Sequence, residues 1–553
     1  MSSTTSSPKR IEKVSSDNQV VGFDLFSQLT YMAILSRGGV TRDRLLEYCG
    51  RQRYLTAVFF EYINLMARSM GVEYTRAFQS VAQRAKAPRV KSLLLRFSAS
   101  ISSGSSESEF VLQEARAEKE LYSNDYERNV ENLRKWTDAY AAVLVAVTLI
   151  MVVSQVSSLL GSTNASFIYL MLFTLCGVTS VGVFLIYKVA PFETITYDPV
   201  SGTTPDRKVA KFLFIIGFPL GLSLGVLGFL ILKENGTSIV TASAVIFASL
   251  GVTLIPSAFL AMRDAARVAH IDEELPVFLR AIGSIAGSGG VTLTEALRRI
   301  DTKSYQYLRD PLERLRTRLE SGLPTPECWE TFSRETGSEL VSRTSGMFVD
   351  GVEVGCNPSQ IGELCSDYAQ RITELRAKRK LTASTFTFLT MTMHSVMALI
   401  LVFVLEIIIK FNSKLSAVQG VSEKDKCIKD VKESIGFVTE SQKAEMAAQG
   451  FTLPTPEELC AQVEVFQMGN IETLQITIIL AVAVLTVANA LAPKFSEGGH
   501  NLKIITFLAV TCLASAVVMA VVPKVTAALL ATPEDSSGGL VNGIYSVISA
   551  GVV

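Results

Sequence analysis

Seven runs of mostly apolar residues divide the chain: Ala139–Leu160, Phe167–Tyr187, Phe212–Leu232, Ile239–Met262, Phe386–Ile409, Leu474–Leu491 and Ile504–Val522. About 20 such residues cross the hydrocarbon core of a bilayer, so each run predicts a membrane-spanning helix. The polar stretches before the first run and before the fifth show a different pattern, with apolar positions at helical spacing. Leu308, Leu312, Leu315 and Leu319 make one such face, and Gly322 is placed to end that helix in a left-handed conformation. Thr292-Leu-Thr-Glu295 and Asp310-Pro311-Leu312-Glu313 read as capping boxes. Thr325-Pro326 starts a helix closed by Gly337, Ser338 or Glu339 opens one ending near Gly355, and Asn357-Pro358 caps a long helix running toward the fifth span. Nothing alternates with period two for long enough to argue for a strand.

The two polar stretches are copies of one another. A shift of 251 residues carries Gly38-Gly39-Val40-Thr41 onto Gly289-Gly290-Val291-Thr292 without a gap. It also carries Gly71 onto Gly322, Val90 onto Val341, Phe97 onto Phe348, Gly104 onto Gly355 and Arg128 onto Arg379. A repeat this long duplicates a domain; solenoid units have periods of roughly 20–50 residues. Each copy reads as a bundle of five or six helices whose last helix meets no breaker before the membrane. The fold class is therefore all-α: a polytopic helical membrane protein with two homologous cytoplasmic helical-bundle modules. The expected order is a disordered start at 1–20, a first module at 21–138, four spans within 139–262, and a second module at 263–385. A fifth span at 386–409, an extracytoplasmic segment at 410–470, two spans within 471–522 and an extracytoplasmic tail at 523–553 complete it.

Composition supports this division, with 48% hydrophobic and only 19% charged residues. Basic residues near span ends mark the cytoplasmic side. Lys188, Arg207, Lys208 and Lys211 crowd the loop after the second span, and Lys494 and Lys503 flank the loop after the sixth. The alternate loops are nearly free of them, which places both modules and the N-terminus in the cytoplasm. A net charge of zero leaves no footprint for nucleic acid. Cys427 and Cys460 are the pair expected in the extracytoplasmic segment, where a disulfide and two free thiols fit the sequence equally well.

Catalytic chemistry is missing. There is no phosphate-cradling G-x-x-x-x-G-K-[ST] loop, and His270, His394 and His500 are scattered, so no catalytic residue, cofactor or metal site is expected. Gly217, Gly221 and Gly225 form a small-residue stripe suited to close helix packing, either with a helix of the same chain or with a second copy. Glu406, read as the one ionisable residue inside an apolar run, is explained by pairing with Lys410 four residues on, with a proton or ion relay as the alternative. The cluster Arg371, Arg376, Lys378, Arg379 and Lys380 reads either as an anchor at anionic headgroups or as a partner interface.

The turn Gly290-Val-Thr-Leu-Thr-Glu-Ala-Leu297, opening a helical module followed by a span, resembles the type II secretion system F domain family. Residues Ser321–Phe332, Glu335–Leu340 and Glu353-Val-Gly-Cys-Asn-Pro358 look most similar to the platform proteins of the archaellum branch. The first module fits less well, since Ser102-Ser-Gly104 stands where the second has Glu353-Val-Gly355. The resemblance implies a non-enzymatic platform in the cytoplasmic membrane. Its expected partners are a hexameric secretion ATPase, pilin- or archaellin-like filament subunits, other motor components, membrane lipid and further copies of the chain. Archaellum, adhesive pilus and secretion system remain alternatives, and a transporter or channel is disfavoured by the apolar spans. The exposed acidic turn of Glu353, Gly355 and Asn357 is the candidate ATPase contact, with a purely structural turn as the competing reading.

Overall fold

The computed structural model describes residues 11, 14, 17–160, 165–199, 204–436 and 471–530; at 158–160, 165 and 415–436, Lys429 apart, the description is of the backbone. The first copy comprises α1 (Asn18–Ser36), α2 (Arg42–Arg51), α3 (Ala57–Met70), α4 (Tyr74–Arg84), α5 (Pro88–Ser103) and the start of α6 (Glu107–Leu160). Then follow α7 (Ala165–Val189), α8 (Pro205–Glu234) and α9 (Ile239–Gly289). The second copy continues with α10 (Leu293–Arg299), α11 (Arg309–Glu320), α12 (Thr325–Thr336), α13 (Glu339–Glu353) and α14 (Pro358–Gly436). The last two helices among the described residues are α15 (Ile471–Glu497) and α16 (Lys503–Leu529).

The 251-residue shift that aligns sequence also aligns structure. It carries the first residues of α2, α4, α5 and α6 onto the first residues of α10, α12, α13 and α14. The glycines at 39, 71 and 104 and their mates at 290, 322 and 355 all have positive φ, between 56° and 93°. In that region a Cβ is penalised, so glycine closes each helix at the same point in both copies.

Two boundaries differ from the sequence reading. The mate of α1 is the final part of α9, continuous with the fourth span; a boundary at 262 therefore cuts one helix, which holds Pro256 and Pro276 without ending. At the other end, α1 begins at Asn18, capped by the Asp17 carboxylate, and Ile11 and Val14 are buried, so order reaches into the stretch expected to be disordered.

The expected caps are present at Thr292, whose Oγ1 accepts the Glu295 N–H at 3.3 Å, and at Ser338 and Asn357. Glu295, however, pairs with Arg298 and Arg299 instead of reaching back, so the box is half formed. Asp310 caps nothing, since α11 begins at Arg309. The Glu274 carboxylate on α9 accepts the N–H groups of Gln306, Tyr307 and Leu308 at 2.8–3.1 Å, so the cap comes from a residue 32 or more positions away. Thr292→Ala is expected to lower the stability of the full chain by about 0.5–2 kcal/mol, measured as a lower thermal midpoint; an unchanged midpoint would show that the bond contributes nothing.

The copies are not independent modules. One hydrophobic core runs from Phe23, Phe26 and Tyr31 of α1 to Phe348, Ile361 and Tyr368 of the second copy. Helix α1 packs on α13 and α14 as well as on α6. Below it, seven helices among the described residues are long and apolar enough to cross a membrane. Helix α14 contacts α6, α9, α15 and α16, and α8 lies on α9. Both copies, the 190–199 loop and the turn after α15 lie at one end of this bundle: Tyr197 N–H donates to the Gly337 carbonyl, and Arg379 donates to the carbonyls of Pro191 and Ser496. The loops that the basic-residue pattern groups together are therefore on the same side.

Candidate functional site: the joints between repeats and spans

Two buried ionic joints hold the architecture together. The first fastens copy to copy. Arg343 of α13 is 7% exposed. Its guanidinium reaches Asp24 of α1 at 2.7 Å, Glu339 at 2.9 Å and the Ser27 hydroxyl at 2.8 Å, and it lies over the Phe23 and Tyr54 rings. Burial raises the Glu339 carboxyl, and Arg343 opposes that rise. Asp24 also accepts the Leu55 N–H at 2.6 Å, so one carboxylate fixes both the α2–α3 loop and the second copy. Tyr31 donates to Asp350 at 2.6 Å and Ser27 bonds Tyr368 at 2.7 Å. A planar guanidinium with several fixed donors suits such a multi-partner buried position.

The second joint fastens the copies to the spans. Arg376 of α14 pairs with Glu193 of the loop after α7 at 2.6 Å and with Asp272 of α9 at 2.5 Å. Asp272 also accepts a bond from Ser338, the cap of α13. Burial pushes the Asp272 carboxyl up to about 6, with Arg376 opposing. Beside it, fully buried Arg207 of α8 donates to Asp264 of α9 at 2.6 Å and to the Gly337 and Tyr197 carbonyls. Asp198 accepts from Arg207 and pairs with His500 at 3.1 Å; the His500 bond, followed by Arg207, holds its carboxyl down at about 2. Charges taken out of water this far are tolerable only when paired and hydrogen-bonded, and these connect α8, α9, α14 and both polar loops at the level where the apolar runs begin.

The expected sites fall as follows. Glu353, Gly355 and Asn357 form an exposed turn after α13. It rests on the first copy through Cys356, whose Sγ contacts the Ile34 carbonyl at 3.3 Å. A Cβ on Gly38 would lie 2.6 Å from that sulfur, so the Gly38-Gly39 turn of one copy seats the acidic turn of the other. Gly217, Gly221 and Gly225 face α9, where added Cβ atoms would meet the Thr253 carbonyl and side chain and the Ile246 backbone at 2.2–2.9 Å; the stripe is filled from within the chain. The basic cluster divides: Arg376 and Arg379 point inward to protein partners, Arg371 and Lys378 bind Ser123 and Glu127 of α6, and Lys380 stays exposed. The headgroup reading does not hold for Arg376 and Arg379, whose donors are taken up by protein acceptors away from the surface. Glu406 is buried, with Oε1 lacking a hydrogen-bond partner and no ion pair to Lys410 within 4 Å among the described residues. The Cys427–Cys460 pair lies outside the described side chains.

Sequence reading missed a polar cluster inside the spans. His394 of α14 bonds Ser515 at 2.9 Å through Nε2 and meets the Asn489 amide at 3.3 Å through Nδ1. Asn489 accepts from Tyr140 of α6 at 3.2 Å, and Ser515 bonds Thr486 at 2.9 Å. Nδ1 facing an amide N–H accepts, so Nε2 carries the proton toward Ser515 and the Thr511 carbonyl. Four helices, α6, α14, α15 and α16, are thereby pinned in register by bonds among their side chains. The signal available was a histidine and an asparagine inside apolar runs.

Residues 278–406 match the family model described as type II secretion system (T2SS), protein F. This interval covers the second copy from the end of α9 through most of the fifth span. The chain is 21% identical over 481 residues to Flagella accessory protein J of Methanocaldococcus jannaschii, a match covering 86% of this chain and 79% of that protein. It is 22% identical over 373 residues to Flagella accessory protein J of Methanococcus voltae, covering 66% and 67%. No solved structure matches. The family resemblance carried by residues 290–297 and 321–358 is thus upheld in a multi-pass, all-helical membrane protein.

Proposed function

We propose that the chain is the membrane platform of an archaellum or related type IV pilus-like machine, with both copies in the cytoplasm. There they receive a hexameric secretion ATPase, and the spans serve filament subunits. The observation that carries this reading is the continuity of α6, α9 and α14: each runs from a polar copy into an apolar span without a break. A load on the copies then tilts or rotates the spans instead of being absorbed in a linker. The names of the two relatives favour the archaellum over an adhesive pilus.

The orientation is testable with introduced cysteines, since Cys328 and Cys356 are themselves buried and would resist reagents on either side. In a background with Cys427 and Cys460 replaced by serine, a membrane-impermeant maleimide applied to intact cells should label Glu234→Cys and spare Ser105→Cys; both positions are exposed. The reverse pattern would invert the topology.

The acidic turn is the proposed ATPase contact. Glu353→Lys changes an exposed charge, which should alter stability by under about 0.5 kcal/mol, yet it sets like charges across the interface. In cells lacking the wild-type copy, the variant should reach the membrane in normal amounts and build no filaments. Normal filaments would remove this turn from the interface.

A further inference from the structure

A groove of about 640 Å³ lies between α7 and α15 on the outer surface of the span bundle. Thr179, Val183 and Tyr187 line one wall, and Leu480, Val484 and Phe495 the other. From Cys176 to Tyr187 the wall rises roughly 17 Å at about 1.5 Å per residue, about half of a hydrocarbon core roughly 30 Å thick. The groove therefore matches one leaflet, and it ends on the side that carries the repeats. At that end Tyr187 and Phe495 meet edge to face at 5.0 Å.

The same end is rich in cations. Lys494 Nζ sits 4.7 Å from the centre of the Phe495 ring and donates to the Asn501 side chain at 2.7 Å. Lys188 follows Tyr187 and is exposed. Neither lysine pairs with a carboxylate among the described residues, and Arg379 close by spends its donors on the backbone carbonyls of Phe495, Ser496 and Pro191. The carboxylates of this region, Glu497 and Asp198, are engaged by Lys503 and by Arg207 with His500. An apolar channel of one-leaflet length, with the Lys494 ammonium over the Phe495 ring of one wall and exposed Lys188 next in sequence to Tyr187 of the other, is complementary to a lipid with a hydrocarbon chain and an anionic headgroup.

We propose that this groove holds one anionic phospholipid of the leaflet on the repeats' side, with a chain between α7 and α15 and its phosphate between Lys188 and Lys494. The lipid would fill the seam that joins α7 to the rest of the bundle. The test uses the full chain in nanodiscs of mixed phosphatidylcholine and phosphatidylglycerol, with retained lipid counted by native mass spectrometry after release. The wild type should keep one phosphatidylglycerol, not displaced by soluble glycerol phosphate. Retention should fall roughly tenfold or more in Lys188→Gln/Lys494→Gln. It should also fall in Val484→Trp, which fills the groove and leaves both lysines. Unchanged retention in both variants, equal retention of phosphatidylcholine, or displacement by glycerol phosphate would overturn the assignment. So would a photo-crosslinker at Val484 that captures, in native membranes, an apolar helix of another polypeptide.

Discussion

Arg376→Met should cost the protein roughly 3–5 kcal/mol, the loss that follows when one partner of a buried ionic cluster is removed. Glu193 and Asp272 would remain buried beside each other with no counter-charge, and burial already pushes Asp272 up to about 6. The expected result is a large fall in the thermal midpoint of detergent-solubilised protein and little full-length chain in the membrane. The triple variant Glu193→Leu/Asp272→Leu/Arg376→Met removes all three charges together, and replacement of a whole buried cluster is often neutral or stabilising. It should therefore recover most of the midpoint. If Arg376→Met alone melts like the wild type, the joint between copies and spans does not depend on this cluster.

Gly283→Leu should have the next largest effect. Helices α9 and α14 cross where Gly283 meets Gly362: a Cβ on Gly283 would stand 2.7 Å from the Gly362 Cα and from the Pro358 carbonyl. These are backbone atoms that cannot swing aside, so a larger side chain must push the helices apart. Overpacking of this kind costs about 1–3 kcal/mol, and here it also moves the start of α14, which carries the Asn357 cap and the acidic turn. The variant is expected to insert, to melt earlier and to build no filaments. The mates of Gly283 and Gly362 in the first copy are Met32 and Val111, both buried, so that crossing is built with side chains and Met32→Leu should be tolerated. Filament assembly at the wild-type level by Gly283→Leu would show that this crossing can open without consequence.

Much of this architecture is legible in the sequence. The spans follow from apolar length, and the helix ends at Gly71, Gly104, Gly322 and Gly355 follow from a residue type whose backbone freedom is needed at one point. The half-box at Thr292 shows where such reading ends: the hydroxyl bond is local and was found, whereas Glu295 chose two arginines one turn further along its own helix. The Glu274 cap on α11 was out of reach because its partners meet only in the folded chain. The same holds for the ionic joints. Arg128 and Arg379 occupy equivalent positions, yet the first is an exposed side chain paired with Asp125 and the second is buried against carbonyls. Sequence spacing gives their register and says nothing of which neighbour covers them. The fusion of the copies was hidden for that reason too: α1 is apolar on nearly all sides, a pattern that reports burial without naming the partner.

The most direct test of the account is affinity purification of the tagged chain from native membranes in a mild detergent, followed by identification of what remains bound. A hexameric ATPase of the secretion class should be retained with the wild type and released in Glu353→Lys, while both forms of the chain stay folded and membrane-extracted. A wild-type preparation that retains no such ATPase under conditions preserving other membrane complexes would contradict the coupling role assigned to the repeats.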